Sequence, residues 1–144
     1  MRIESEITLD APRAAVFDYL ARGEHLPEYV TDFAWVRQAS DGYDYKMARG
    51  AEGTFEWTEF VPHSRLAWHG PPAKAGPGSM EPSGFWELSD ADGGTRVRLV
   101  MSPRPGGLFR LMAPFIASGM RKGNADALSR LKQRVESGQG SQPG

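Results

Sequence analysis

Apolar residues alternate with polar ones in several short stretches, a pattern typical of strands with one buried face. The first stretch spans residues 3–9, where Ile3, Ile7 and Leu9 alternate with acidic or hydroxyl residues. Six further stretches follow, at residues 33–39, 43–49, 54–61, 65–69, 85–89 and 95–102. Turn residues such as Ser40-Asp41-Gly42 separate these stretches. The pattern therefore predicts seven strands, most of them in antiparallel meander order.

The apolar spacing changes to three and four residues in the segments predicted as helices. Asp10 and Pro12 are typical helix-start residues before a short helix that Gly23 ends, and a second short helix covers residues 24–29. The longest helical pattern spans residues 105–137. Its apolar stripe consists of Leu108, Leu111, Met112, Phe115, Ile116, Met120, Ala127, Leu128, Leu131 and Val135. Pro114 lies inside it, so we expect a kink or a break into two helices there.

This order of elements predicts an α+β fold. A seven-stranded antiparallel sheet curves as it twists, and we expect the long C-terminal helix to cover one face of it. Residues 1–137 form a single domain, and residues 138–144 form a low-complexity, disordered tail. Residues 70–83 are rich in proline and glycine and predict a long mobile loop, whose role as a lid or as a plain insertion stays open.

Composition narrows the possible functions. The net charge of −1 gives no electrostatic case for nucleic acid, and no apolar run is long enough for stable membrane insertion. Without cysteine the chain has no disulfide, no thiolate nucleophile and no Cys-ligated zinc. His25, His63 and His69 lack metal-ligand spacing, and no phosphate- or dinucleotide-binding motif occurs, so we expect neither metal nor cofactor. The default location is the cytoplasm.

Aromatic and soft apolar side chains mark the candidate ligand-binding residues. Trp57, Trp68 and Trp86 lie on adjacent strands and would form one apolar wall if their faces point inward. Asn124 lies beside the helical stripe, where a buried amide needs a hydrogen-bonding partner. The full candidate set is Tyr45, Trp57, Trp68, Trp86, Leu88, Leu99, Met101, Met112, Phe115, Met120 and Asn124. A filled core gives the same apolar pattern, so that alternative stays open.

Three polar residues are the candidates for acid–base chemistry. Tyr45 could place a hydroxyl in a pocket, and Glu59 shares the alternating face of Trp57, where apolar surroundings would raise the pKa of its carboxyl group. A histidine can serve as a general acid or base, but alternation places His69 opposite Trp68, at a solvated strand end. No catalytic signature of high specificity accompanies them.

Several local phrases carry a resemblance to a known family. They are residues 7–12 leading into 16–20, residues 26–29, 61–67 and 93–97, and residues 103–107 leading into a helix that ends with residues 128–132. In this order the chain resembles the START-like (SRPBCC) superfamily, specifically the polyketide cyclase/dehydrase and lipid-transport group. The resemblance covers nearly the whole chain, except residues 70–83 and the tail. It implies a helix-grip fold with an apolar cavity between the sheet and the long helix.

The resemblance leaves three functions open. The first is a carrier or binder of a small hydrophobic, aromatic or lipid-like ligand, and the second is a cyclase or dehydratase-type enzyme that uses Tyr45, Glu59 or His69. The third is a structural or stress-related module with a filled core. We expect a monomer or a homodimer. Basic residues of the long helix, including Arg121 and Lys122, predict a solvated outer face rather than a membrane patch.

Overall fold

A computed structural model describes residues 1–141 of the chain, with side chains as far as residue 138. The main sheet has seven antiparallel strands in the order β1-β9-β8-β5-β4-β3-β2. These strands are β1 (Ile3–Leu9), β2 (Phe33–Ala39), β3 (Gly42–Met47), β4 (Glu52–Val61), β5 (Arg65–His69), β8 (Ser83–Ala91) and β9 (Gly94–Met101). Helix α1 (Arg13–Leu20), a 3-10 turn (Gly23–His25) and α2 (Leu26–Tyr29) lie between β1 and β2. The predicted α+β architecture is confirmed.

A second, three-stranded sheet occupies part of the segment predicted as a mobile loop. Strands β6 (Ala73–Ala75) and β7 (Gly78–Glu81) form a hairpin, and β10 (Arg104–Gly107) pairs with β7. The loop prediction was wrong because the prolines occupy the turn and the flanks of the hairpin rather than its strands. Pro71 and Pro72 precede β6, Pro77 lies in the turn, and Pro82 follows β7.

The C-terminal helical segment is divided into two helices, α3 (Leu108–Leu111) and α4 (Ala113–Ser141). Pro114 lies in the first turn of α4, where its missing N–H removes no helical hydrogen bond, so the predicted break is confirmed. The predicted start was three residues early, because Pro105 pairs with Met80 in the small sheet. The backbone of residues 138–141 continues α4, in contrast to the predicted disordered tail, and residues 142–144 lie outside the described residues.

Helix α4 packs against the sheet through its second half only. Its buried residues are Asn124, Ala127, Leu128, Leu131 and Val135. They face β1, α1 and α2, and none of residues 108–123 is buried. The side chain of Lys132 donates to the carbonyl of Thr8 (3.3 Å), and the backbone N–H of Asp10 donates to Glu136 (2.7 Å). These contacts fix α4 parallel to β1.

Candidate ligand-binding site

The inner face of the main sheet, which packs against α4, ends in a row of partly exposed apolar residues. Strand register places Trp57 opposite Trp68, Trp68 opposite Gly84, and Gly84 opposite Met101. We call these four residues the open row. Trp57, Trp68 and Met101 are only partly buried.

The next row of the same face is closed on β5, β8 and β9. Leu66, Trp86 and Leu99 are paired in register and are at most 5% exposed. Leu88, one step further along β8, is also buried at 4%. On β5, β8 and β9 burial therefore changes abruptly between neighbouring rows, whereas Phe60, opposite Leu66 on β4, is 52% exposed.

The open row joins two separate parts of the hydrophobic core. One buried cluster lies between α4, α1 and strands β1, β5, β8 and β9, and the other contains Val36, Tyr43, Tyr45 and Phe55 on β2, β3 and β4. Trp57 and Trp68 pack against both clusters. Each tryptophan also contacts an aromatic ring of one cluster. The ring centroid of Trp57 lies 5.5 Å from that of Phe55, and the ring centroid of Trp68 lies 6.4 Å from that of Trp86. The inner face thus carries aromatic rings on both sides of the register pair Trp57 and Trp68.

Gly84 determines where the ring of Trp68 lies. A Cβ atom at Gly84 would lie 2.6 Å from Cζ2 and 2.7 Å from Cη2 of Trp68, well inside van der Waals contact. The indole therefore packs directly over the backbone of β8. Sequence reasoning missed this residue, although a glycine inside a strand pattern is a known sign of close approach.

Asn124 is a buried amide in the α4 stripe. Its side chain is 8% exposed, and Nδ2 has no hydrogen-bonding partner among the described residues. Asn124 lies about two helical turns before Lys132, which contacts Thr8, so it lies near the level of Ser5. Ser5 pairs with Leu99, so Asn124 lies beside the next row, about two residues along β1 from the open row. Met120, one turn earlier, is partly buried. This amide is therefore a donor available to a polar atom of a ligand.

Tyr45 lies away from the open row, inside the second cluster. It is 7% exposed, its ring lies 5.6 Å from Phe33, and its hydroxyl occupies the space beside Gly53. Burial raises the pKa of the phenol, so it stays protonated at neutral pH. A neutral tyrosine can donate a hydrogen bond but is a poor base.

The structure places Glu59 on the opposite face from the one predicted. A β-bulge lies between Trp57 and Glu59, so Trp57 pairs with Trp68 whereas Glu59 pairs with Ala67. The extra residue reverses the alternation, and Phe60 takes the inward position opposite Leu66. Glu59 is exposed and forms an ion pair with Arg65 on the outer face.

His69 also lies outside the open row. It is exposed, and its Nε2 lies 3.0 Å from the carboxylate of Glu81. It borders a solvent-open depression of about 460 Å³ on the outer face, together with Thr54 and Glu56. A second depression of about 440 Å³ adjoins it beside Trp35. Neither lies between the sheet and α4.

Two further ligand-binding candidates, Met112 and Phe115, face solvent at 42% and 78% exposure. Met112 lies at the break between α3 and α4. At about 100° per helical residue, Phe115 faces roughly 180° away from the buried Asn124. The predicted continuous stripe was wrong. Apolar residues three or four positions apart are neighbours on the helix surface, but a series of such steps can move gradually from one face of the helix to another.

The chain matches the family model described as polyketide cyclase / dehydrase and lipid transport over residues 1–136. It belongs to this family. No curated protein matches the chain. The family and the fold fit a ligand-binding or polyketide cyclase-type protein, and they leave the ligand undefined.

Solved structures with the same fold share little sequence with this family member. A conserved protein from Geobacillus kaustophilus has a TM-score of 0.81 at 16% identity, with 95% of this chain and 96% of that chain covered. A Deinococcus radiodurans protein has a TM-score of 0.72 at 21% identity, covering 96% and 99%. The Aha1 dimer from Colwellia psychrerythraea has a TM-score of 0.68 at 19% identity, covering 94% and 96%. At such identities the likeness shows the fold alone.

Within residues 1–141, no helix has the length and apolar character needed to cross a membrane. In the same part of the chain, no group of three His, Asp or Glu side chains has the arrangement of a metal site.

Proposed function

We propose that the protein binds a small apolar ligand at the open row. The observation that carries the proposal is the pair Trp57 and Trp68, which bridges both core clusters yet stays partly exposed while the neighbouring row is closed. Ligand sites are typically apolar surfaces with a few polar groups. Two indoles side by side favour a flat aromatic or polyene-like ligand over a small aliphatic one.

Asn124, one row away from the open row, supplies the polar complement of this site in the proposal. Its unpartnered Nδ2 would donate a hydrogen bond to a carbonyl, hydroxyl or carboxylate oxygen of the ligand. A buried donor without a partner has a desolvation cost of roughly 1–3 kcal/mol, which a ligand acceptor would recover. The ligand class is therefore an aromatic or lipid-like molecule with one oxygen acceptor.

Binding without chemistry is the function that the polar groups favour. Proton transfer needs an acid or base within about 2.6–3.2 Å of the reacting atom, or one water away. Glu59 and His69 lie on the outer face, engaged with Arg65 and Glu81. Tyr45 is buried in the second cluster with a raised pKa. None of the three lies at the open row, so we favour a binder over a cyclase.

Titration with the neutral fluorophore N-phenyl-1-naphthylamine tests the proposal, with Trp-to-probe energy transfer as the signal. We expect Trp68→Ala to weaken binding by about tenfold, because stacking on one ring contributes about 1–3 kcal/mol. Trp35→Ala is the matched control, since Trp35 lies on the outer face under Arg37, whose guanidinium carbon is 3.7 Å from the ring centroid. Its affinity should stay within about twofold of the wild type, a difference under about 0.5 kcal/mol.

Two results would reject the proposal: wild-type affinity in Trp68→Ala, or an equal loss in Trp35→Ala. Urea unfolding of each variant shows that the folded fraction is unchanged under the titration conditions. This control is needed because removing an aromatic core residue costs up to about 3–5 kcal/mol when the residue is fully buried.

A further inference from the structure

The region around α3 and the start of α4 exposes an unusual concentration of apolar and basic side chains. Its large apolar residues are Leu108, Leu111, Met112 and Phe115, exposed by 44%, 79%, 42% and 78%. Its basic residues are Arg104, Arg110, Arg121 and Lys122, all exposed. We call these eight residues the basic apolar patch. Within the described part of the chain, none of its four cations forms an ion pair.

The charge of this region differs from that of the whole chain. No Asp or Glu occurs between Asp92 and Asp126, whereas the full sequence has a net charge of −1. The nearest acid across the small sheet is Glu81, which pairs in register with Arg104 and contacts His69. The patch is therefore a local cationic surface on a nearly neutral protein, and it complements an anionic partner.

The shape of the patch favours a flat, fluid partner. Phe115 and Lys122 lie about 20° apart around α4, on the side turned away from the core. Gly119 lies between them along the helix, and no atom lies within 4 Å of the position that its Cβ would occupy. Phe115 and Leu111 thus project from the surface and do not line a groove. Protruding apolar side chains flanked by cations are the features of helices that lie in the interface of an anionic bilayer.

The same charges disfavour a second copy of the chain as the partner. A two-fold symmetric interface brings a patch against itself, which would place Arg110, Arg121 and Lys122 of both copies close together. Like charges brought together in this way oppose association. An anionic lipid surface has no such cost, and it attracts each basic residue near it.

We propose that the basic apolar patch docks the protein peripherally on anionic membranes. Leu111 and Phe115 enter the interfacial region, and Arg110, Arg121 and Lys122 contact lipid headgroups. The patch follows β9 and β10 and precedes Asn124, so it lies at the same end of the sheet as the open row. Docking here would bring the open row close to the bilayer surface. The inference does not depend on which ligand the open row binds.

Co-sedimentation with vesicles tests this proposal on the full chain. We expect binding to vesicles of phosphatidylcholine and phosphatidylglycerol in equal parts, weaker binding as salt rises, and little binding to phosphatidylcholine alone. Leu111→Ser/Phe115→Ser should lower the partition coefficient by about tenfold or more, because both side chains lose their apolar burial in the bilayer. Lys122→Gln should lower it about fivefold.

Matched controls lie elsewhere on the surface. Val61→Ser replaces an apolar residue that is 47% exposed in β4, and Arg49→Gln removes an exposed cation from the β3–β4 turn. Both should bind vesicles as the wild type does. Circular dichroism should show all four variants folded, since the replaced side chains make few internal contacts.

Three outcomes would overturn the proposal. One is a wild-type protein that stays in the supernatant with anionic vesicles at low salt. Another is a loss of binding in the controls equal to that in the patch variants. The last is a wild-type dimer that Leu111→Ser/Phe115→Ser converts to a monomer in light scattering, because a second copy would then cover the patch.

Discussion

Gly84→Ala is the substitution for which the structure gives the most direct energetic argument. The new Cβ would lie 2.5 Å from the carbonyl oxygen of Val100 and 2.6 Å from Cζ2 of Trp68. Carbon atoms in proteins normally approach to about 3.5–4.0 Å, so the indole has to move by about 1 Å. Trp68 can tilt because it is partly exposed, whereas Val100 is fully buried in the ladder between β1 and β8.

Two terms set the expected stability of Gly84→Ala. Overpacking lowers the free energy of unfolding by about 1–3 kcal/mol. Alanine also reduces the conformational entropy of the unfolded chain, which raises the free energy of unfolding by about 0.4–1 kcal/mol. We expect a net loss of about 1–2 kcal/mol, which for a domain of this size lowers Tm by roughly 3–10 °C. Scanning calorimetry measures the shift in Tm.

A matched control and a second variant separate the two contacts. Gly119→Ala adds the same methyl group where nothing lies within 4 Å, so it should stabilise the helix by roughly 0.5–1 kcal/mol. Trp68→Phe removes the two indole carbons that lie 2.6 and 2.7 Å from the new Cβ, so Gly84→Ala should cost less in that background, with a coupling of about 0.5–3 kcal/mol. A Gly84→Ala protein that melts at or above the wild-type Tm would refute the packing argument. Strict additivity would assign the whole cost to the Val100 carbonyl.

Three other predictions follow from single residues. Asn124→Leu removes an unpartnered buried donor, so it should raise the free energy of unfolding, measured by urea titration, by up to about 1–3 kcal/mol. It should also lower the affinity for a ligand that carries an oxygen acceptor. Unchanged stability would mean that Nδ2 has a partner. The pKa of Glu136 is lowered by the backbone N–H of Asp10 and by Lys132, so its stabilisation is complete above its ordinary pKa of 4.5 and is lost as the pH falls below it. Glu136→Gln should therefore melt with a shallower dependence of Tm on acid pH, and an identical dependence would contradict this. Glu59→Gln and His69→Asn should leave the affinity for the fluorescent probe within about twofold of the wild type, a difference under about 0.5 kcal/mol. Tyr45→Phe should change this affinity by less than about tenfold. A larger loss of affinity in any of these variants would place the substituted residue at the site.

Alternation was enough to predict the main sheet, because one buried face imposes a two-residue period on every strand. It was not enough to place Glu59. Trp57, Glu59 and Val61 alternate as regularly in sequence as a flat strand would require, and a bulge leaves no mark in that pattern. Only the pairing of Phe60 with Leu66 reveals the change of face, and this pairing depends on a neighbouring strand.

The helical pattern predicted α4 but not how much of it is covered. Burial of a helix depends on the extent of the surface beneath it, which local spacing does not contain. Asn124 to Val135 lies over β1 and the short helices, whereas Phe115 lies beyond them. The same limit explains the small sheet, since β10 pairs with a hairpin more than twenty residues earlier in the chain. Its pairing depends on β9 having ended beside β8.

The open row and the basic apolar patch have a common structural origin in the length of α4. The contacts of Lys132 and Glu136 with β1 anchor its second half, so the preceding turns extend towards the end of the sheet where β9 ends. A filled core would require those turns to bring apolar side chains onto Trp57, Trp68 and Met101, but Phe115 and Leu111 face solvent. Single exposed apolar residues are ordinary, whereas two groups of them at one end of a domain mark an interaction surface. We therefore favour a partner from outside the chain over a closed core at this end of the fold.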